Sequence, residues 1–447
     1  MPKVTSSKSA ERKSKKARIE NPTFGRQKPT PSLDITPPTP KSAKGKEKAK
    51  PAPQIPEISS SNLPTTFKVV AGSYEKLLYG LEGTVTCEGS DYQFHLNPIF
   101  IFPAHVSCIK AVAASPNGGK WLATGSADEI VKVWDLRRRK EIGGLMHHEG
   151  SITQLQFPSR SHLLSASEDG TLCLFRARDW AVLRSLKGHK DRINSVAVHP
   201  SGKVALSVGK DKTLRMWDLM RGKGSASTKL GKEGEVVRWS IKGSSFVVQS
   251  QSSIDVFSTD MVLRHTITHP SRIHNIRFCN RAHAAGEIML VAAEDKKVSI
   301  YDIPEDHDTL PTIIAELVGH TNRVKAVEML QIALPPSKNQ TSESIKSSTT
   351  IACTVSSDGK IHIYDLAMLP AVNGDKVELL PVVEYDTKGT RLTCVTIAEG
   401  ESTDTPANGK RKRGEDEDES EVEGEEEWVP HVEAEEEEEE EESEDDA

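Results

Sequence analysis

Five times along the 447-residue chain a histidine is followed four positions later by Ile or Val: His105/Ile109, His148/Ile152, His189/Ile193, His269/Ile273 and His320/Val324. Each time an aspartate comes next, with an aromatic ring six positions beyond it: Asp128/Trp134, Asp169/Phe175, Asp211/Trp217, Asp295/Tyr301 and Asp358/Tyr364. Four of the rings are followed at once by a second aspartate (Asp135, Asp218, Asp302, Asp365), and the second unit has Arg176 instead. An offset held constant over five units marks a repeat of about 40–45 residues, each copy burying its apolar face only against its neighbours. The stretch Gly188 to Leu219 shows what one unit is. Ile193, Val196 and Val198 alternate, His199-Pro200-Ser201-Gly202 turns the chain, and Val204 to Val208 forms a second apolar run. After a Lys210-Asp211-Lys212 turn, a third strand ends in Trp217-Asp218. Three short strands separated by turn residues predict an antiparallel meander.

The polar residues of the unit fit together as a buried hydrogen-bond chain. Asp211 can hold the His189 imidazole, the ring can bond the Ser207 hydroxyl, and the hydroxyl can bond the indole of Trp217. Such groups are costly to bury singly and cheap when all are satisfied. A His, an Asp and a Ser side by side also suggest a hydrolase triad, but several copies of the trio argue for structure over catalysis. Hydroxyls stand four residues before the aspartate at Thr124, Ser165, Ser207 and Thr354, while the His269 unit has Val291. Only the sets His105, Thr124, Asp128, Trp134 and His189, Ser207, Asp211, Trp217 are complete, so those two units are expected to be the most rigid. The Gly-His and Trp-Asp brackets resemble the WD repeat, and the expected fold is all-β, a WD40-type β-propeller.

The gap between His189 and His269 spans two repeats, so a degenerate unit lies inside it. Lys232 takes the histidine position with Val236 four residues on, and Gln251 replaces the aspartate; this unit is expected to keep its strands and lose the polar chain. A seventh unit can be assembled from both ends of the repeat region. Phe67 to Leu81 resembles the middle of a repeat, Tyr92 to Phe102 its outer strand, and Leu392 to Ala398 an inner strand with no repeat after it. Joining them closes a seven-bladed ring and removes exposed sheet edges. A six-bladed ring is the competing arrangement. The expected domains are residues 1–66 as a basic Pro/Ser/Thr/Lys-rich tail, 67–398 as the propeller, and 399–447 as a second tail.

Both tails have compositions that predict disorder. Residues 1–58 carry a net charge of +9 and residues 410–447 a net charge of −18, which leaves about +2 for the body between them. Arg12, Lys13, Lys15, Lys16 and Arg18 form one basic cluster and Lys410, Arg411, Lys412 and Arg413 another; both are candidate nuclear-localisation signals. From Glu415 to Ala447 there are 22 acidic residues and no Lys or Arg. Thr30, Thr36 and Thr39 precede prolines, and Ser420 and Ser443 precede acidic residues, as kinase sites often do. An insertion from Gln331 to Thr350 is expected to project as a loop between the first two strands of the sixth blade. Its Asn339-Gln340-Thr341 matches a glycosylation acceptor, but nothing at the start of the chain resembles a secretory signal. No apolar run approaches membrane-spanning length, so no membrane association is expected.

The six cysteines (Cys87, Cys108, Cys173, Cys279, Cys353, Cys394) form no C-x-x-C pair and read as small hydrophobes in a reducing compartment. No Gly-Lys pair has the surroundings of a phosphate-binding loop, and neither H-E-x-x-H nor G-x-S-x-G occurs. The sequence therefore predicts a binding scaffold without catalytic residues, metal or cofactor.

Longer runs carry a narrower resemblance. Val70-Ala71-Gly72-Ser73-Tyr74-Glu75, Trp121 to Glu129, Leu163 to Thr171 and Asn194 to Trp217 resemble the PAK-inhibitor-like WD-repeat family of nucleolar assembly factors for the large ribosomal subunit. The likeness spans Phe67 to Ala398 and includes the degenerate unit at Trp239-Ser240. It implies a part in maturation of pre-60S particles and in rRNA processing, a nuclear and nucleolar location, and partners among assembly factors and ribosomal proteins. The chain would act as a monomer within that larger particle. Some animal relatives are described as restraining p21-activated kinases, which makes kinase binding in signalling the alternative function. A histone-binding role, suggested by the acidic tail, is a third reading. For rRNA contact the candidates are Arg137, Arg138, Arg139 and Lys140, with a second basic stretch from Lys187 to Arg192.

Overall fold

Short runs of alternating Val, Ile, Leu and Ala, cut by Gly, Asn and Asp turns, pair into seven sheets, antiparallel except for one added edge strand. The computed structural model describes residues 63–88, 91–281, 286–304, 309–335, 348–370 and 376–400. All lie in the unit Ile58–Ala447; the other unit, Met1–Glu57, lies outside the described residues. Blade 3, for example, consists of Ile193–Val198, Val204–Gly209, Thr213–Asp218 and Lys223–Lys229 from the innermost strand outward. The sheets form a seven-bladed propeller, and the six-bladed alternative is excluded. Among the described residues there is no α-helix, only a single 3-10 turn at Leu366–Met368 capped by Asp365.

Blade 7 closes the ring in the way the sequence predicts. The C-terminal strand Leu392–Glu399 is its innermost strand and pairs with Thr66–Ser73, followed outward by Leu77–Glu88 and Asp91–Pro103. Ring closure thus rests on a hydrogen-bonded register between the two ends, from Phe67↔Glu399 to Gly72↔Cys394. Gly72 allows it: a Cβ there would sit 2.6 Å from Ile109 and 2.8 Å from the Cys394 sulfur.

The core lies between blades. Leu164 and Leu172 of blade 2 pack with Ile193, Val196 and Trp217 of blade 3, and Leu206 and Leu214 of blade 3 with Val237, Phe246 and Phe257 of blade 4. Phe67, Leu81 and Ile397 of blade 7 meet Ile351 and Ile363 of blade 6. Each such fully buried side chain contributes about 1.5–3 kcal/mol, and because it does so across a blade boundary the ring is stabilised as a whole.

Two regions depart from the sequence reading. The insertion assigned to 331–350 is shorter, because the strands run through both of its ends: Val324–Ala333 pairs with Ser348–Ser356 as far as Ala333↔Ser348. Ile332 is fully buried against blades 6 and 7, and the Ala333 amide donates to the Pro64 carbonyl at 2.9 Å. Only 336–347 falls outside the described residues. Unforeseen too is a fifth strand on blade 5, Val377–Leu379, which runs parallel to Thr312–Leu317. The expectations for the tails, including both basic clusters and all five phosphorylation candidates, lie outside the described residues.

Candidate functional site

The histidine sets come together as the spacing predicts. In blade 3 the Trp217 indole N–H donates to Ser207 Oγ at 2.8 Å, and Ser207 Oγ lies 2.6 Å from His189 Nε2. His189 Nδ1 lies 2.9 Å from Asp211 Oδ2, and Asp211 also accepts the Lys190 amide at 3.1 Å. Blade 1 repeats the chain through Trp134, Thr124, His105 and Asp128 at 3.0, 2.8 and 2.8 Å. The network assigns the proton: the indole fills one side of the hydroxyl, the hydroxyl donates to Nε2, and Nδ1–H donates to the carboxylate. Both imidazoles are therefore neutral, and burial lowers their pKa from the ordinary value despite the aspartate. Their side chains are fully buried, and the hydroxyls are engaged on both sides. No nucleophile faces a cleft, so these residues fasten the strands of a blade.

The incomplete sets show what each missing group changes. Blade 2 has Phe175 for the indole, and Ser165 Oγ turns to the Cys173 carbonyl at 3.4 Å while keeping His148 Nε2 at 2.7 Å. In blade 6 the Tyr364 hydroxyl donates past the set to the Val318 carbonyl, 3.0 Å away. Blade 5, with Val291, offers His269 no Ser or Thr hydroxyl from the second strand; instead its Nδ1 lies 2.9 Å from the Tyr301 hydroxyl and its Nε2 3.6 Å from Asp295. Blade 4 requires a correction, since its polar chain is replaced rather than lost. Lys232 Nζ reaches Asp255 Oδ2 at 2.9 Å and Ser253 Oγ at 2.7 Å, and Asp255 accepts the Thr266 hydroxyl at 2.7 Å. Gln251 occupies the turn in a left-handed conformation, φ +56°.

The candidate RNA-contacting residues do not converge. Arg137, Arg138, Arg139 and Lys140 are exposed at the turn between the third and outer strands of blade 1, where Asp135 Oδ1 accepts the Arg137 and Arg138 amides at 2.9 and 3.0 Å. Lys187 to Arg192 lies on the link from blade 2 to the inner strand of blade 3. Successive strands of a blade run antiparallel, so these turns belong to opposite faces of the ring. One phosphate backbone lying flat on either face meets only one of them.

Sequence reasoning missed the central channel. Six of the seven inner strands open with a bulge that leaves one residue unpaired: Lys110, Thr153, Asn194, His274, Lys325 and Thr393. All six line one cavity of about 210 Å³ bounded by the seven inner strands. Blade 4 has no bulge, its Val236 pairing with Gln249 and Val237 with Val248 without a shift. Below this ring, side chains bond the open backbone edge of the next inner strand. Gln154 and Gln156 accept the Val196 and Val198 amides at 3.1 Å each, Ser195 the Val237 amide at 3.2 Å, and Thr396 the Ala114 amide at 3.2 Å. A signal for the ring was present in the sequence: the residue after the Ile or Val of each histidine unit is polar in all five. Elsewhere, no group of three or more His, Cys, Asp or Glu among the described residues is placed to hold a metal ion.

The profile of the WD domain, G-beta repeat, matches residues 96–135, 139–176 and 180–218, ending with the third strand of blade 3. Whole-chain comparison finds a p21-activated protein kinase-interacting protein 1-like protein of Danio rerio, 32% identical over 341 residues, which are 76% of this chain and 83% of the relative. Protein MAK11 of Saccharomyces cerevisiae is 31% identical over 372 residues, 74% and 83% of the two chains. Shk1 kinase-binding protein 15 of Schizosaccharomyces pombe is 26% identical over 348 residues, 76% and 87% of the two chains.

Proposed function

Since the chain belongs to the family of WD-repeat proteins that includes the p21-activated protein kinase-interacting protein 1-like proteins and MAK11, we propose that it is a non-catalytic docking scaffold in nucleolar maturation of the pre-60S ribosomal particle. The observation that carries this reading is the distribution of charge: a nearly neutral ring between segments of net +9 and −18. The basic segment attracts rRNA phosphates and the acidic one basic ribosomal proteins, while a ring fastened internally leaves its turns free for protein contact. Gradient sedimentation of tagged full-length protein tests it. Co-migration with pre-60S particles is expected, and migration only as free protein would sink it.

The relatives' names favour a second reading, binding to a p21-activated kinase. A pull-down with purified kinase regulatory region separates the two, because the kinase would be retained without rRNA or ribosomal protein present. For direct rRNA contact, charge reversal of Arg137 to Arg139 is expected to reduce crosslinking to RNA; unchanged crosslinking counts against that site.

A further inference from the structure

The register of the inner strands sets one residue of each blade at the same level, opposite the position that holds the hydroxyl in the histidine sets. In six blades it is aliphatic: Val112, Leu155, Val196, Ile276, Val327 and Val395. In blade 4 it is Arg238. Arg238 is only 9% exposed and lines the channel. Its Nη1 donates to the Val237 carbonyl at 2.7 Å, to Ser195 Oγ at 3.2 Å and to the Val196 carbonyl at 3.5 Å, and its Nε has no partner. Among the described residues no carboxylate stands within ion-pair reach of it. The neighbouring Glu328 is taken by Arg277. A buried cation without a counter-ion is among the costliest arrangements a fold can hold.

The same cavity holds a second charge of this kind. Lys325, half-buried in the bulge ring, has no ion-pair partner among the described residues, whereas the other charged residues there are engaged. Lys110 pairs with Glu168 at 2.9 Å, and Glu235 pairs with Arg272 at 2.9 Å. His274 completes this side of the ring, its Nε2 3.5 Å from Glu294 and without a hydrogen bond. Burial, then Lys325, Arg323 and Arg272, push its pKa down to about 4, so it stays neutral and adds no third charge. Across the ring, in blade 2, the Thr153 hydroxyl is buried and also unpartnered.

We propose that the channel binds a phosphate group, free or carried by a small phosphorylated molecule, between Arg238 and Lys325. A dianion neutralises both charges where a single carboxylate leaves one uncompensated, and its oxygens accept charge-assisted hydrogen bonds from the guanidinium and the ammonium. The proposal is independent of the scaffold's partners, since it concerns the inside of the ring and not its turns.

The test is phosphorus NMR on inorganic phosphate and, separately, on glycerol 3-phosphate, each titrated with full-length protein at constant ionic strength. Saturable broadening of the inorganic signal identifies the free ion as ligand, and tighter binding of the ester identifies a carried phosphate. Lys325→Ala is expected to weaken binding at least about tenfold, as loss of a charge-assisted contact does, and Lys325→Arg to restore most of it. Lys229→Ala, on the outer strand of blade 3, leaves binding unchanged. Arg238→Gln should abolish binding where it folds; the Lys325 pair decides the matter if it does not. Absence of saturable binding of either compound to the wild type, or equal binding by Lys325→Ala, overturns the proposal.

Discussion

Blades 3 and 4 stand side by side, share a core, and keep their polar interiors together by different chemistry. In blade 3 a neutral imidazole joins a strand hydroxyl, a turn carboxylate and an indole, the four side chains all buried. In blade 4 a partly exposed lysine joins a carboxylate and a hydroxyl of the third strand. Yet both are four-stranded sheets. The difference teaches that strand alternation and turn residues specify a blade, while the histidine set adds stability to a sheet that forms without it. It also shows where freedom was used: the blade that abandoned the set lacks the bulge and carries the one charge in an otherwise aliphatic ring.

The comparison is broken most forcefully at the indole. Trp217→Ala removes a buried ring and leaves Ser207 without its donor, and should cost about 3–5 kcal/mol in urea unfolding. Phe257→Ala, at the matching place in blade 4, loses packing alone and should fall at or below the low end of that range. His189→Ala leaves Ser207 and Asp211 both short of a partner, an expected loss of about 2–4 kcal/mol. Lys232→Met should cost less, about 1–2 kcal/mol: the lysine is 42% exposed and its attraction is screened, but its loss leaves the Asp255 carboxylate, 8% exposed, with the Thr266 hydroxyl. A Lys232→Met loss as large as that of His189→Ala would show the two networks to be equivalent.

Acid sharpens the contrast further. His105, His189, His274 and His362 all have folded pKa values below the ordinary histidine range, chiefly through burial, and His274 and His362 are pushed down to about 4. For His362 a second cause is the stacked His320 ring, 4.0 Å away. A group with a lowered folded pKa stabilises the fold fully above its unfolded value and loses that contribution as pH falls toward the folded value. The urea midpoint should therefore drop between pH 6.5 and 4, less steeply in His189→Ala and with wild-type slope in Lys232→Met. His148 runs the other way: against burial, Asp169 helps raise it to about 9, so its contribution is full below the ordinary histidine value and is lost as pH rises from there through about 9.

The smallest expected effect lies in blade 5. Val291→Thr supplies the missing hydroxyl where Thr354 and Ser207 stand in their blades, and His269 can turn to accept it. Stability should change by less than about 1 kcal/mol, the new hydrogen bond offsetting the burial of a polar group, while the imidazole nitrogen shifts report the changed tautomer. A loss above about 2 kcal/mol would mean that the ring is locked by Tyr301.

Much of this was legible because its causes are local. Asp211, Ser207 and Trp217 lie within eleven residues, so the offset between them reports one hairpin. The family profile likewise covers the repeats through blade 3, where these offsets are nearly intact, and leaves blades 4 to 6 to be found by strand pattern. Lys232 was recognised as the histidine's replacement, but its partner was not, because Asp255 has no counterpart in the other units. The insertion is shorter than the pattern suggests for a similar reason: Gln331 to Ala333 continues the strand because blade 7 is there to cover Ile332.

The amino-acid order alone pointed to the repeat, to closure of the ring by its two ends and to the histidine sets that fasten most sheets, since each is written as a periodic choice of residue type; seven blades over six was decided by the sheets themselves. What the tertiary structure decided is everything that depends on distance across the ring. Arg238 and Lys325 are remote in the chain, belong to different repeats, and look like ordinary strand residues in each. Only when seven inner strands converge on one axis do they face the same cavity, and there the low dielectric turns two unremarkable charges into a demand for an anion.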